Sequence, residues 1–197
     1  MERLSEYSYE GRGQQMSTAA ESVRRYSRFF KSRQAMVVLD YGTGTMRNAV
    51  YLAQEGYNVY AADLPEQVAK LRGCPALRHI ERLLATDELA QSKLNVDLVL
   101  STYVFNIIVN SAERHAYLDN AVANLKPGGY LLMEVRCRKP HDRCDTACAD
   151  YFSCTDCSKT LTHEELDILL TPHGLRRISH YYRSHAMAAI YQMVQSN

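Results

Sequence analysis

The residues best suited to chemistry are the aspartates Asp40 and Asp63, which stand on either side of a short glycine loop. Asp40 ends an apolar run that begins at Met36, and Gly42 and Gly44 follow it directly. Asp63 ends a second apolar run, roughly twenty residues beyond the loop. Glycine lets the backbone turn tightly and approach a ligand where a side chain would collide. A carboxylate at the end of the next strand is suited to accept hydrogen bonds from ribose hydroxyls. The pattern therefore predicts a nucleoside-binding crevice.

The loop departs from the pyrophosphate-binding fingerprint G-x-G-x-x-G at its last position. Arg47 stands where the third glycine would be, and a bulky side chain there hinders close packing of helix against strand. Asp40 adds negative charge beside the loop, which suits a cationic amine or sulfonium better than a phosphate. An enzyme that uses NAD or a nucleotide sugar is thus disfavoured. An unrelated tight turn between a strand and a helix stays as the other alternative.

Strand and helix patterns alternate on both sides of the loop. Apolar runs predict strands over 36–39, 59–62, 96–101, 130–135, 176–182 and 186–194, with a further strand over either 77–80 or 83–85. Helical spacing predicts helices over 17–30, 47–55, 65–73, 87–93, 112–125 and 162–170. This alternation predicts an α/β fold, in which a mostly parallel sheet carries helices on both faces.

Composition limits the class of protein. The chain has 197 residues, of which 46% are hydrophobic and 23% charged, as expected for one domain over 1–197 with a sizeable core. Residues 1–30 are expected to form an N-terminal arm and helix. A net charge of +1 provides no overall basic field for nucleic acid. No apolar run is long enough to span a membrane, and the polar N-terminus has no signal-peptide core, so we expect a cytoplasmic chain without membrane contact.

These motifs together resemble those of a known enzyme family. Asp40-x-Gly42-x-Gly44 followed by Asp63 is similar to motif one of the class I S-adenosylmethionine (AdoMet) methyltransferases. The string GTMRNAVYLA over 44–53 is similar to the G-x-x-R-N-x-x-Y-L-A stretch of the tellurite-resistance type and its small-molecule relatives. L-K-P-G-G followed by an apolar strand, over 125–135, is frequent in the same family. The resemblance implies a Rossmann-like sheet of seven strands in the order 3-2-1-4-5-7-6, with a closing antiparallel hairpin.

The resemblance also implies AdoMet-dependent methyl transfer to a small-molecule acceptor. Because the methyl carbon of a sulfonium is already activated, such a protein mainly holds donor and nucleophile in line, and no universal catalytic residue is implied. By motif position Asp63 would hold the ribose, Leu64 would lie against the adenine, and Asp87 would either accept from the adenine amino group or simply begin a helix. The residues implied for cofactor binding are Asp40, Gly42, Thr43, Gly44, Asp63, Leu64, Asp87 and Ser101.

Three residues are expected on the acceptor side: Tyr9, Tyr103 and Arg136. Tyr103 follows the fourth strand and should face cofactor and substrate. Tyr9 could belong to an aromatic lid that excludes water, or to a frayed terminus. Arg136, at the end of the fifth strand, is either a partner for an acidic substrate or a surface charge. Arg47 and Asn48 either contact a cofactor carboxylate or an anionic substrate, or form a solvent-facing helix start.

A cysteine-rich insert over 137–160 follows the fifth strand. Four of its thiols are closely spaced, and two short-spaced pairs of this kind can supply the tetrahedral thiolates of a structural zinc site. Free or redox-active thiols, disulfides and an iron–sulfur cluster are the alternatives. A metal-pinned lid over the acceptor pocket is one hypothesis for its role. The proposed ligands are Cys144, Cys148, Cys154 and Cys157.

Other functions fit parts of the sequence. A non-catalytic AdoMet-binding module could use the cysteine insert to dock a partner. A methyltransferase acting on nucleic acid is an alternative because a local basic patch stands at and just before the start of the insert: Arg136, Arg138, Lys139 and Arg143. The oligomeric state and the identity of the acceptor are left open by the sequence.

Overall fold

The glycine loop lies at the carboxyl-terminal ends of the parallel strands of a mixed β-sheet. A computed structural model describes residues 18–108, 110–137, 160–183 and 186–194. Within these residues, seven strands form one sheet in the order β3-β2-β1-β4-β5-β7-β6. The strands are β1 (Val37–Tyr41), β2 (Asn58–Asp63), β3 (Arg82–Ala85), β4 (Val96–Thr102), β5 (Leu125–Arg136), β6 (Leu175–Arg183) and β7 (Ala186–Met193).

Strand pairing confirms the fold expected from the resemblance. β1 pairs in parallel with β2 and with β4, while β2–β3 and β4–β5 are also parallel. β7 runs antiparallel to both β5 and β6, so the last two strands form the expected hairpin at the sheet edge. Since β1, β2 and β4 run in the same direction, their carboxyl-terminal ends lie side by side. Ligands bind at these strand ends in such sheets.

Six α-helices in the described residues connect and cover the strands. None of them is long and apolar enough to cross a membrane. The last of them begins with the predicted capping box, in which the Thr162 side chain and the Glu165 side chain each bond the other residue's backbone amide. The helices are α1 (Glu21–Ser32), α2 (Arg47–Gln54), α3 (Pro65–Leu71), α4 (Thr86–Ala90), α5 (Ser111–Ala123) and α6 (His163–Leu170).

The structure settles one alternative left by the sequence, the position of the third strand, and moves one predicted boundary, the start of β5. The third strand is Arg82–Ala85, whereas residues 77–79 lie in a 3₁₀ turn, Pro75–His79. β5 begins at Leu125 rather than at Tyr130, because Leu125 already pairs with Val96 before the register shifts. The predicted turn over 126–129 is thus an irregularity inside a long strand.

Strand alternation divides the core into two layers. One layer packs α1 and α2 against Val38, Leu98, Leu100 and Leu132. The other packs α5 and α6 against Leu39, Val99, Leu131 and Met133. Because successive side chains point to opposite faces, the same parity continues to the strand ends. It places Asp40, Thr102 and Glu134 on the side of α1 and α2, and Tyr41 and Ser101 on the side of α5.

Candidate active site

Asp40 is a buried carboxylate at the end of β1. Only 1% of its surface is exposed. Its Oδ2 accepts a hydrogen bond from Thr43 Oγ1 at 2.8 Å, and the Ala49 backbone amide donates to the same carboxylate. Burial raises the pKa of Asp40 to about 6, although these two donors and nearby Arg47 act to lower it. Asp63 raises the pKa further, so the two carboxylates share one electrostatic environment.

The glycine loop needs its glycines for different reasons. Gly42 and Thr43 donate their backbone amides to the Ala62 carbonyl at 2.8 and 3.1 Å, which holds the loop against β2. Gly42 has φ +83°, and a β-carbon there would lie 2.2 Å from Cγ2 of Val104. Gly44 has φ +56°, but a β-carbon there would have no atom within 4 Å. Gly42 is therefore required by both space and backbone conformation, and Gly44 by conformation alone.

Asp63 binds the glycine loop directly. Its Oδ2 accepts the Gly44 amide at 2.7 Å, and its Oδ1 accepts the Leu64 amide at 2.8 Å. The Gln67 side-chain amide donates to the Gly44 carbonyl at 2.7 Å. The amide and the carbonyl of Gly44 are thus both bonded, by the last residue of β2 and by the first turn of α3. The adjacent Leu64 side chain is 60% exposed, which leaves an apolar surface beside the carboxylate.

Two of the expected cofactor residues lie apart from this cluster. Asp87 is exposed in the first turn of α4 and lines a second pocket of about 440 Å³ between α3 and β3. A carboxylate also stabilises a helix N-terminus, so both interpretations of Asp87 fit its position. Ser101 is fully buried, and its hydroxyl accepts from Tyr117 at 2.8 Å. Strand alternation turns the Ser101 side chain toward α5, and its part in cofactor binding stays a prediction.

Asn48 joins three elements instead of facing solvent. It is 3% exposed. Its Oδ1 accepts the Ala20 amide, and its Nδ2 donates to Thr102 Oγ1, both at 2.8 Å. The solvent-facing helix start is wrong for Asn48, since its side chain is buried and links the approach to α1 with the end of β4. Its contact with a cofactor carboxylate or an anionic substrate stays a prediction.

Tyr103, directly after β4, and Glu134, near the end of β5, form a hydrogen-bonded pair. Tyr103 has φ +59°, an unfavourable conformation for a bulky residue that often marks a functional site. Its amide donates to the Glu134 carbonyl and its hydroxyl to Glu134 Oε1, each at 2.7 Å. The Ser22 hydroxyl donates to the other oxygen, Oε2. Burial, reinforced by the Glu134 carboxylate, raises the pKa of Tyr103 well above its ordinary value.

Glu134 is a site residue that the sequence interpretation missed. It is 5% exposed and is the only charged residue in the apolar run 130–135. An ionisable side chain in a strand buried on both faces is the signal that points to it, because burial of an unpaired charge is costly.

A pocket of about 690 Å³ opens beside this pair. It lies between the starts of α1 and α2, the ends of β5 and β6 and the start of β7, and it brings together two of the expected acceptor-side residues. The charged and aromatic side chains that line it include Arg47, Tyr103, Glu134, Arg136, Tyr181 and Arg183. Arg183 pairs with Glu21, another lining residue. Among the described residues, Arg47 and Arg136 form no ion pair with a carboxylate.

The remaining predicted residues fall outside the described part of the chain. These are Tyr9 and the four proposed zinc ligands, Cys144, Cys148, Cys154 and Cys157. Within the described residues, no group of three or more histidine, cysteine, aspartate or glutamate side chains could hold a metal ion. The zinc site and the aromatic lid therefore stay predictions.

Comparison with known proteins connects this geometry to an enzyme family. The chain is similar in fold to 1,6-didemethyltoxoflavin-N1-methyltransferase from Burkholderia thailandensis, which was solved with 1,6-didemethyltoxoflavin and S-adenosylhomocysteine. The two chains are 18% identical and align with a TM-score of 0.63 over 89% of this chain and 79% of that one. The N-methyltransferase NodS from Bradyrhizobium japonicum, solved with S-adenosylhomocysteine, aligns at 19% identity, TM-score 0.62, and coverage of 88% and 86%. Human N-acetylserotonin methyltransferase, solved with S-adenosylmethionine, aligns at 17% identity, TM-score 0.68, and coverage of 89% of this chain but 52% of that one.

Sequence comparison is decisive for the family. No curated protein sequence matches the chain significantly. The family model described as a methyltransferase domain matches residues 13–192, which is most of the chain. The protein therefore belongs to the methyltransferase domain family.

Proposed function

We propose that this enzyme transfers the methyl group of AdoMet to a small-molecule acceptor by in-line displacement. The observation that carries the proposal is the buried Asp40 carboxylate, held beside a glycine loop that Asp63 clamps at the same sheet edge. Three proteins of similar fold were solved with AdoMet or S-adenosylhomocysteine, one of them together with 1,6-didemethyltoxoflavin. These neighbours support a small-molecule acceptor.

The side chains present fit AdoMet. Asp40, with Gly42, Thr43 and Gly44, would bind the methionine end, because a buried carboxylate favours a cation and Gly42 leaves no side chain in the way. Asp63 would accept from the ribose hydroxyls, and the exposed Leu64 would cover one face of the adenine. Asp87 would accept from the adenine amino group. Bound AdoMet would supply a methyl group already activated by its sulfonium.

The chain must also handle the proton of the acceptor. Glu134 lines the larger pocket and is hydrogen-bonded by the Tyr103 hydroxyl. We assign Glu134 as the general base, which takes the acceptor's proton either directly or through the Tyr103 hydroxyl. Tyr103 itself stays protonated near neutral pH, since the ordinary pKa of tyrosine is already about 10 and burial raises the pKa of Tyr103 further.

Several finer assignments are part of the same proposal. The enzyme would belong with the tellurite-resistance-like small-molecule methyltransferases, which the string over 44–53 supports. Residues 1–197 would form a single domain that works in the cytoplasm. The thiols of Cys144, Cys148, Cys154 and Cys157 would bind zinc, and Tyr9 would cover the bound acceptor.

Isothermal titration of AdoMet, S-adenosylhomocysteine and NAD tests the cofactor assignment. We expect micromolar binding of both sulfur nucleosides and none of NAD. Asp63→Ala should weaken that binding at least tenfold, whereas Asp63→Asn, which keeps one oxygen for the Gly44 amide, should show whether the loop or the ribose contact is responsible. Glu66→Ala is the matched control, because Glu66 is an exposed acid on the following helix.

Circular dichroism must show that each variant is folded. Absence of AdoMet binding by folded wild-type protein would refute the proposed function. Binding without methyl transfer to any acceptor would instead favour the non-catalytic module.

A further inference from the structure

We propose that the acceptor carries an anionic group, which Arg47 and Arg136 bind in the pocket of about 690 Å³. This inference rests on the proposed function, because it names the class of acceptor that the same enzyme would methylate. The class is a small organic anion, a carboxylate above all, that also bears the amine, hydroxyl or thiol to be methylated.

The first step of the argument is the charge inside the pocket. Three arginines and two glutamates line it: Arg47, Arg136, Arg183, Glu21 and Glu134. The ion pair between Arg183 and Glu21 removes one charge of each sign from this set.

The carboxylate of Glu134 does not pair directly with Arg47 or Arg136. Both oxygens of Glu134 accept hydrogen bonds from hydroxyls, those of Tyr103 and Ser22. No arginine nitrogen lies within ion-pair distance of Glu134 in the described residues. Arg47 and Arg136 therefore line the pocket as two cations that no carboxylate of the described residues pairs directly.

Arg47 is also near the Asp40 carboxylate at the glycine loop. Its charge acts to lower the pKa of Asp40, but the two side chains form no ion pair. Arg47 follows directly on the loop at the start of α2 and lines the pocket as well. Arg47 thus lies at the boundary between the proposed methyl donor site and the acceptor pocket.

Guanidinium groups bind carboxylates through two parallel hydrogen bonds, and such charge-assisted bonds are stronger in a partly enclosed pocket than in water. An anion cannot bind next to the Glu134 carboxylate without repulsion. The acceptor's anionic group is therefore directed to the arginines, which leaves its other end beside Tyr103 and Glu134, where a nucleophile would lose its proton. The charge distribution gives both a class of acceptor and an orientation.

The test measures anion binding apart from turnover. Folded protein saturated with S-adenosylhomocysteine is titrated with acetate, benzoate and glutarate, and with the neutral amides of the same acids. We expect at least one carboxylate to bind tenfold or more tightly than its amide. If every amide binds as well as its carboxylate, the inference is overturned.

Variants assign the binding to the two arginines. Arg136→Gln and Arg47→Gln should each weaken the preferred carboxylate at least tenfold without changing affinity for its amide. Arg176→Gln is the matched control, because Arg176 is an exposed arginine at the opposite end of β6 and does not line the pocket. An equal loss in Arg176→Gln would show a general charge effect and overturn the assignment.

The cofactor provides the last comparison. If Arg47→Gln weakens S-adenosylhomocysteine and leaves carboxylate binding intact, Arg47 serves the cofactor and its part in the inference is wrong. If S-adenosylhomocysteine does not bind wild-type protein at all, the proposed function fails, which is a result distinct from binding of the cofactor without preference for anions.

Discussion

Gly42→Ala should be the most damaging small substitution in the glycine loop. The backbone at Gly42 has φ +83°, and the new β-carbon would lie 2.2 Å from Cγ2 and 3.0 Å from Cγ1 of Val104. Carbon atoms in favourable contact are about 3.5–4.0 Å apart. The substitution therefore combines backbone strain with a collision, whereas Gly44→Ala, at φ +56° with no atom within 4 Å, has the strain alone.

The two contributions can be estimated separately. A left-handed conformation costs a residue with a β-carbon about 1–2 kcal/mol, and overpacking of this kind costs about 1–3 kcal/mol. Gly42→Ala should thus lower the free energy of unfolding by about 2–5 kcal/mol, and Gly44→Ala by about 1–2 kcal/mol.

Val104→Ala removes the two methyl groups that collide with the new β-carbon. In a double-mutant cycle, Val104→Ala should recover most of the about 1–3 kcal/mol that overpacking costs Gly42→Ala, because only the Val104 β-carbon, 3.1 Å from the new one, remains. It should recover none of the loss caused by Gly44→Ala. Urea unfolding followed by circular dichroism measures all of these free energies. Equal losses for the two glycine variants, or a cycle with no coupling between positions 42 and 104, would refute the packing of Val104 over Gly42.

The buried polar groups of the site lead to three further predictions. Burial raises the pKa of Asp40 from 3.8 to about 6. The contribution of Asp40 to the free energy of unfolding is therefore largest below about pH 4 and falls by about 3 kcal/mol as the pH rises through 6. Urea unfolding between pH 4 and 7.5 should show this slope, and Asp40→Asn should flatten it. Asn48→Ala leaves two buried partners without hydrogen bonds and should cost about 2–4 kcal/mol in unfolding free energy, whereas Asn58→Ala, at an exposed position, should cost much less. Glu134→Gln should lower kcat by about 10²–10⁴-fold with unchanged S-adenosylhomocysteine affinity; an unchanged kcat in initial-rate measurements would exclude Glu134 as the base.

Local patterns were sufficient to place the glycine loop and its two aspartates. The strands before and after the loop, and the helix from Arg47, are specified by hydrophobic periodicity and by turn-forming residues over short stretches. The third strand could not be chosen in the same way, since two short apolar runs competed for it. Only pairing with β2 distinguishes Arg82–Ala85 from the 3₁₀ turn before it.

The acceptor pocket depends on contacts between distant residues. Glu134 is bonded by Ser22, 112 residues away, and by Tyr103, 31 residues away. Ion pairing between Glu21 and Arg183 likewise joins α1 to the closing hairpin. Separations of this size leave no local pattern, which explains why Glu134 and the linking role of Asn48 were not predicted.

The sequence by itself determined the order of strand, loop and helix around Gly42 and Gly44, most of the other elements, and the acids Asp40 and Asp63 at the strand ends. These features depend on backbone preferences and periodicities that act over a few residues. Only the tertiary structure decided which helices cover each face of the sheet. That packing turns Asp40, Thr102 and Glu134 toward α1 and α2 and turns Ser101 toward α5, because neighbouring side chains on a strand point in opposite directions and each must find its partners in another element.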